Sequence, residues 1–379
     1  MSDRRAAADW DRFATWPIFP ARLALIVFAV LLVLSALVPI RAGENDEREA
    51  AVTSQSSSAK PERARDEDLQ LYDNVIARMQ RGENYYDAVA VEHRASHYPL
   101  RPGLAVRLPT LAWIETWAGL PMQIGASLAL LLAVLAVWWR RLGEEPGGLP
   151  IRTVAIAALA FGASIGTVRY FFVLHELWAG ALIALSLGLH RPGKNKWLGA
   201  LIAAAAALSI REHALPFVLL MAAFALWHRR WREGAAWLGL IALFLAGMAV
   251  HLGIVSGYAR PTDPIGPSWL TFRMLGGWLS MVVLSSNLRL LPHIIGGPLV
   301  MLMMLGWAGW RSSAGTFCTL LFLGYGFAFM IAGRGDNWYW GMVIAPTMFI
   351  GLALVSRSAG SLWHAAFPSA ALASRGGSA

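Results

Sequence analysis

Apolar residues in this chain come mostly in long unbroken runs, separated by short polar joints. Runs at 23–40, 119–139, 151–168, 171–189, 197–208, 215–227, 237–255, 294–310, 316–332 and 338–355 approach or reach the roughly 20 residues that cross about 30 Å of hydrocarbon. They predict an all-α polytopic membrane protein with about ten transmembrane helices. The segments 197–208 and 215–227 are short for tilted spans, and Arg211, Glu212 and His213 lie between them. Together they read as two arms of a hairpin whose charged tip barely emerges. Residues 274–286 are apolar but short, and are expected to lie along the interface. The loop at 256–267 carries too many Pro and Gly residues to continue a helix.

One long stretch breaks this regime. Residues 66–118 are polar and patterned, and their first part fits an amphipathic helix. Leu71, Tyr72, Val75, Ile76 and Met79 recur at three- and four-residue steps, with Gln70, Asp73, Asn74, Arg78 and Arg81 on the other side. Asp68 sits on the apolar stripe, four residues before Tyr72. An ionised carboxylate there needs a partner or a purpose. Equally, Asp66, Glu67 and Asp68 open the helix, where acidic residues cap free N–H groups and suit the dipole. Upstream, residues 41–65 hold an Ala-, Ser-, Gln- and Thr-rich stretch without periodicity and read as a flexible tether.

Charge orients the chain. Arg4, Arg5, Arg12 and Arg22 precede the first run, which is too long for a signal-peptide core, and basic clusters follow alternate runs at Arg140–Arg141, Arg191–Lys196, Arg229–Arg232, Arg311 and Arg357. Both ends are therefore expected inside, in the cytoplasmic membrane, with the 66–118 stretch on the periplasmic side. Composition agrees, since 57% of residues are hydrophobic and the mean hydropathy is +0.51. The formal charge of +9 is mostly topology, and no basic patch interleaved with aromatics points to nucleic acid. The 18 Trp residues suit an aromatic belt at span ends. The single cysteine, Cys318, lies in an apolar run as inert filling.

Given that orientation, Asp68, Arg101, Arg107, Arg169, Tyr170, His175, Glu176, Arg211, Glu212, His213, Asp336 and Asn337 gather near the outer surface. Each has a dull explanation: Arg211 and Glu212 can neutralise each other, and interfacial arginines anchor headgroups. His175 has no second ligand at metal spacing, so no metal site is read. The segment Tyr98–Pro109, YPLRPGLAVRLP, cannot be one helix, and its guanidiniums could meet headgroups or a bound phosphate.

The sequence of first span, outer loop with Asp68 four residues before Tyr72, Gly-containing turn and Pro-rich segment resembles the GT-C superfamily of membrane glycosyltransferases. It is similar in particular to lipid A aminoarabinose transferases and protein O-mannosyltransferases. Leu69 stands where that pattern has Glu, and Tyr98-Pro99-Leu100 and Arg107-Leu108-Pro109 match its later Pro-Pro-Leu motif only loosely. The resemblance implies inverting transfer of a sugar from a polyprenyl-phosphate carrier to an envelope glycan, lipid or protein acceptor on the periplasmic side. Asp68 would be the base, with Asp46 beside Glu47 as the alternative. Tyr72, Arg101, Arg107, Arg211, Glu212 and His213 would bind substrate, Arg211 and Arg101 facing the departing phosphate. No cofactor is implied beyond the lipid-linked donor. A transporter or flippase, whose intramembrane charges line a path, is the rival class, and a catalytically inert scaffold is a third possibility.

Overall fold

The computed structural model describes residues 11–40, 66–145, 147–192 and 196–368. Among these, every regular element is helical, and backbone pairing outside helices is limited to isolated bridges. The tether at 41–65, with Asp46, lies outside the described residues.

Among the described residues, five helices are long and apolar enough to cross a membrane. They are α1 (Ile18–Leu37), α5 (Leu120–Leu142), α6 (Gly148–Ala163, continued by a 3-10 turn), α10 (Trp231–Tyr258) and α13 (Ser313–Ile331). Between α1 and α5 lie α2 (Glu67–Gln80), α3 (Tyr85–Ala95) and α4 (Thr110–Trp117). Shorter apolar helices complete the bundle: α7 (His175–Leu189), α8 (Leu198–Ile210), α9 (Leu215–Trp227), α11 (Met274–Leu284) and α12 (His293–Gly309). At 1.5 Å per residue, an arm the length of α8 or α9 is only about 20 Å long.

The run at 338–355 is not one straight helix. It divides into short turns at Gly335–Val343, Ala345–Met348 and Phe349–Leu354 before α14 (Val355–Ala366), and the pair bends by 63°. Asn337 leaves helical geometry and Pro346 opens a new helical turn. Close packing holds this broken segment in place. A Cβ on Gly306 of α12 would sit 1.9 Å from the Gly351 carbonyl oxygen, and one on Gly180 of α7 would sit 2.1 Å from that of Met342. Small residues let helix backbones approach in this way where lipid supplies no hydrophobic drive.

Two expectations change. Residues 277–283 of α11 are buried in succession and pack against α13 and the 335–343 turn, so this segment is core, not an interfacial helix. A helix that is apolar all round has no polar face to lie on a membrane surface. The tryptophans also divide. Trp117, Trp227 and Trp231 are exposed as a belt requires, whereas Trp138, Trp237, Trp307 and Trp310 are fully buried in the main core. Burial of an indole needs an acceptor. Trp138 donates to the Ala184 carbonyl at 2.9 Å and Trp307 to the Met348 carbonyl at 3.1 Å.

The polar stretch folds as a helical hairpin. Asn84 caps α3 by accepting from the Tyr86 amide at 2.9 Å, and Gly82 takes a φ of +93° at the turn, a conformation open to glycine. Arg78 joins the two helices by pairing with Glu92 and Glu83. Val75, Met79, Tyr85, Val89, Leu100 and Val106 then make a small core of their own that also meets Val255 of α10.

Candidate functional site

The capping alternative for Asp68 is decided by geometry. The N-cap of α2 is Asp66, whose carboxylate accepts from the Asp68 amide at 3.1 Å. Asp68 is therefore one turn-position inside the helix, and its side chain is free for another use. That side chain is half-buried and accepts two phenolic hydrogen bonds, from Tyr98 to Oδ1 and from Tyr339 to Oδ2 at 3.1 Å. A carboxylate has about four lone-pair positions, so two remain.

Tyr339 leads to the nearest cation. Its hydroxyl accepts from Arg107 Nη2 at 3.2 Å, while Arg107 Nε donates to the Tyr72 hydroxyl at 2.9 Å. The Arg107 guanidinium also lies 5.9 Å from the Tyr339 ring centroid. The backbone beneath it is held from two sides. Tyr85 donates to the Arg107 carbonyl at 2.6 Å, and His251 of α10 meets the Val106 carbonyl at 3.2 Å. Burial disfavours the charge on Arg107, but Tyr72, Glu176 and Tyr339 outweigh that and hold its pKa well above the ordinary value. Burial, and then the Asp68 charge, push the Tyr98 phenol up, so it stays a donor.

Behind Arg107 lies a buried charge cluster. Glu176, in the first turn of α7 where its charge suits the helix dipole, is 1% exposed, and so is Arg211. Glu176 Oε1 is 2.7 Å from Arg211 Nε and 3.9 Å from Arg107 Nη2. Arg211 also pairs with Glu212, whose carboxyl burial would raise but which Arg211 and Arg107 hold well below the usual range. His213 stacks edge-on against Trp340 at 4.5 Å, and its carbonyl accepts from Tyr325. The tip between α8 and α9 is thus packed inside the protein. His213 is kept neutral by burial and by Arg211.

The structure therefore brings Asp68, Tyr72, Arg107, Arg211, Glu212 and His213 into one connected set. Arg101 is used elsewhere. Its Nη2 donates to the Pro261 and Asp263 carbonyls, both at 3.0 Å, and so ties the 66–118 stretch to the loop after α10. Arg94 reinforces that tie by gripping both oxygens of Asp263 at 2.9 and 3.1 Å. Arg211 is likewise taken up by two carboxylates, and pairs of this sort stabilise only while both charges are satisfied. Of the three candidate arginines, Arg107 is the one joined to Asp68 through a shared hydroxyl, and only two of its five N–H groups are engaged, both with hydroxyls. Arg169 is exposed, and Asp336 pairs with Arg334 at 2.9 Å.

Tyr98 and Tyr339 are members of the set that sequence reasoning missed. Tyr98 stood in a segment noted for its prolines, and Tyr339 lies two residues after Asn337, but no spacing in the sequence links either to Asp68.

A cavity of about 20 Å³ lies on the far side of Tyr72 and Arg107, lined also by Tyr85, His93, Glu115 and His175. That is room for about one water. His175 is 4% exposed and neither ring nitrogen has a hydrogen-bond partner. A second, apolar cavity between α5, α6 and α7 is lined by Leu130, Val134, Leu177 and Trp178, so it begins one residue past Glu176. No group of three or more metal-ligating side chains occurs among the described residues.

The class these features define is a helical membrane protein with a buried, charged, tyrosine-lined site built from the ends of several helices. No family model, no curated protein and no solved structure matches the chain.

Proposed function

We propose that this protein is an inverting, GT-C-type glycosyltransferase that moves a sugar from a polyprenyl-phosphate carrier to an acceptor hydroxyl. In this reading the shorter helices complete about ten crossings of the cytoplasmic membrane, and the site faces the periplasm. The observation that carries the proposal is the arrangement of Asp68 and Arg107. A carboxylate with lone pairs to spare stands one hydroxyl away from a guanidinium with donors to spare. Base and cation on the two sides of one reaction centre are what inverting displacement at a phosphorylated sugar needs.

The acceptor oxygen attacks the anomeric carbon from the face opposite the phosphate. Its proton passes to Asp68, the new C–O bond forms as the anomeric C–O bond to phosphate breaks, and the carrier leaves as polyprenyl phosphate. Arg107 offsets the charge that develops on that leaving oxygen. Glu176, Arg211 and Glu212 act one layer back, holding the floor beneath Arg107.

Purified protein incubated with a panel of radiolabelled polyprenyl-phosphate sugars and envelope acceptors tests the reading. Transfer of label by the native protein, and none by Asp68→Asn, is expected. If no donor is used while reconstituted vesicles accumulate a lipid-linked or soluble solute, the protein is a transporter or flippase.

A further inference from the structure

Asp68 and Arg107 carry opposite charges in the same half-buried site, yet they do not pair directly. The Tyr339 hydroxyl stands between them, giving its proton to Asp68 Oδ2 at 3.1 Å and accepting from Arg107 Nη2 at 3.2 Å. We infer that Tyr339 is a positioning residue whose hydroxyl keeps Asp68 and Arg107 from collapsing into a direct ion pair.

Arg and carboxylate prefer forked contact, with two parallel N–H···O bonds. Such a contact would occupy the lone pairs with which Asp68 could take a proton and the donors with which Arg107 could meet an anion. A neutral hydroxyl satisfies one position on each group and leaves the others open. Tyr339 can serve as a fixed spacer because it is 4% exposed and cannot swing aside. Its neighbour Trp338 is 5.8 Å away ring to ring, and the turn carrying both packs on α7 and α11. The remaining titratable groups around Asp68 are Asp66, which caps its amide, Glu67 and Tyr72 on its own helix, Tyr98 from the loop after α3, and Glu176 beyond Arg107. Tyr98 is the natural comparison. It also donates to Asp68, but among the described residues no hydrogen bond joins it to Arg107.

The catalytic consequence rests on the transferase reading, whereas the spacer role does not. The test therefore has a readout that needs no activity. Infrared difference spectra of the purified protein, with Asp68→Asn as the subtraction reference, follow the Asp68 carboxylate band against pH. Tyr98→Phe removes a hydrogen bond to the charged form, so the Asp68 titration moves to higher pH. In Tyr339→Phe the same loss is overridden by direct contact with Arg107, so the titration moves to lower pH. Adding Arg107→Gln to Tyr339→Phe reverses the direction. If Tyr339→Phe moves the titration upward as Tyr98→Phe does, Tyr339 is an ordinary donor and the spacer role is overturned.

Should Tyr339→Phe fail to fold, 3-fluorotyrosine at position 339 keeps ring and hydroxyl while strengthening the donor. An unshifted Asp68 band then overturns the contact itself. With an active donor in hand, Tyr339→Phe is expected to lower kcat about 100-fold, the lower end of what a base contributes. KM stays within about threefold, and the acid limb of the pH–rate profile moves to lower pH. Absence of transfer by the native protein would remove the transferase reading and leave the infrared result standing.

Discussion

At the level of single residues, function and stability separate cleanly at the start of α2. Asp68→Asn is expected to abolish transfer while the protein still folds, because the amide keeps shape and polarity but cannot take a proton. Asp66→Ala should do the reverse. It removes the cap on the Asp68 amide, costs about 1 kcal/mol of stability, and leaves turnover near native. Paired thermal melts and transfer assays on the two variants check this. On α3, His93 supplies a pH dependence of a different kind. It is buried, with Nδ1 3.0 Å from the Pro99 carbonyl, and burial lowers its pKa from 6.5 to about 4. Between those values the unfolded chain binds the proton and the folded one does not, so stability is full above pH 6.5 and is lost as pH falls toward 4. Melting of the native protein against His93→Gln over that range should show a loss on the order of 2–3 kcal/mol that the variant lacks.

At the level of elements, the α8–α9 turn and the broken 335–354 segment carry the site from beneath. Arg211→Ala leaves Glu176 and Glu212 as buried charges without their main partner and should cost about 3–5 kcal/mol, the range for breaking a buried pair. Loss of folded protein in detergent, by size-exclusion yield and melting, is the expected measure, in contrast to the catalytic loss at Asp68. Gly306→Ala tests the packing that seats the broken segment. A methyl there meets the Gly351 carbonyl oxygen, so the helices must part, and overpacking of this kind costs about 1–3 kcal/mol. The helix at 67–80 was legible in advance because its period and its acidic first turn are local signals, whereas α3 at 85–95 was not read from the sequence. The fate of 274–286 was not legible either, since a short apolar run reads alike whether it rests on lipid or is enclosed by α13 and its neighbours.

For the whole molecule, the 66–118 stretch and the loop after α10 are tied together by Arg94 and Arg101, which bond to Pro261 and Asp263. Arg94→Ala should raise proteolysis within that loop, while Arg101→Ala lowers stability with KM unchanged, because Arg101 grips backbone carbonyls and not substrate. Limited proteolysis and transfer kinetics distinguish these outcomes. Orientation is tested by cysteine labelling. A cysteine at exposed Arg260 is expected to react from the outside and one at exposed Arg229 from the inside, whereas a cysteine at the packed His213 position reacts slowly from either side.

By itself the sequence determined what the solvent of each segment dictates. Five of the ten long apolar runs become helices of membrane-crossing length, and the periodic stretch after Asp66 becomes an amphipathic helix, because hydrocarbon and water select these patterns locally. It also singled out Asp68, Tyr72, Arg107 and the Arg211–His213 tip, since polar residues in an apolar chain stand out. What only the tertiary structure decided is which of them meet. Asp66, not Asp68, caps α2, Arg101 turns to backbone carbonyls, and Tyr98 and Tyr339 close on Asp68 from 30 and 271 residues away. The physical reason is that a hydrogen bond between distant residues leaves no periodicity in either stretch. Its partners are chosen by how helix ends pack, and in this chain that packing runs through close glycine crossings and buried indoles that no local pattern announces.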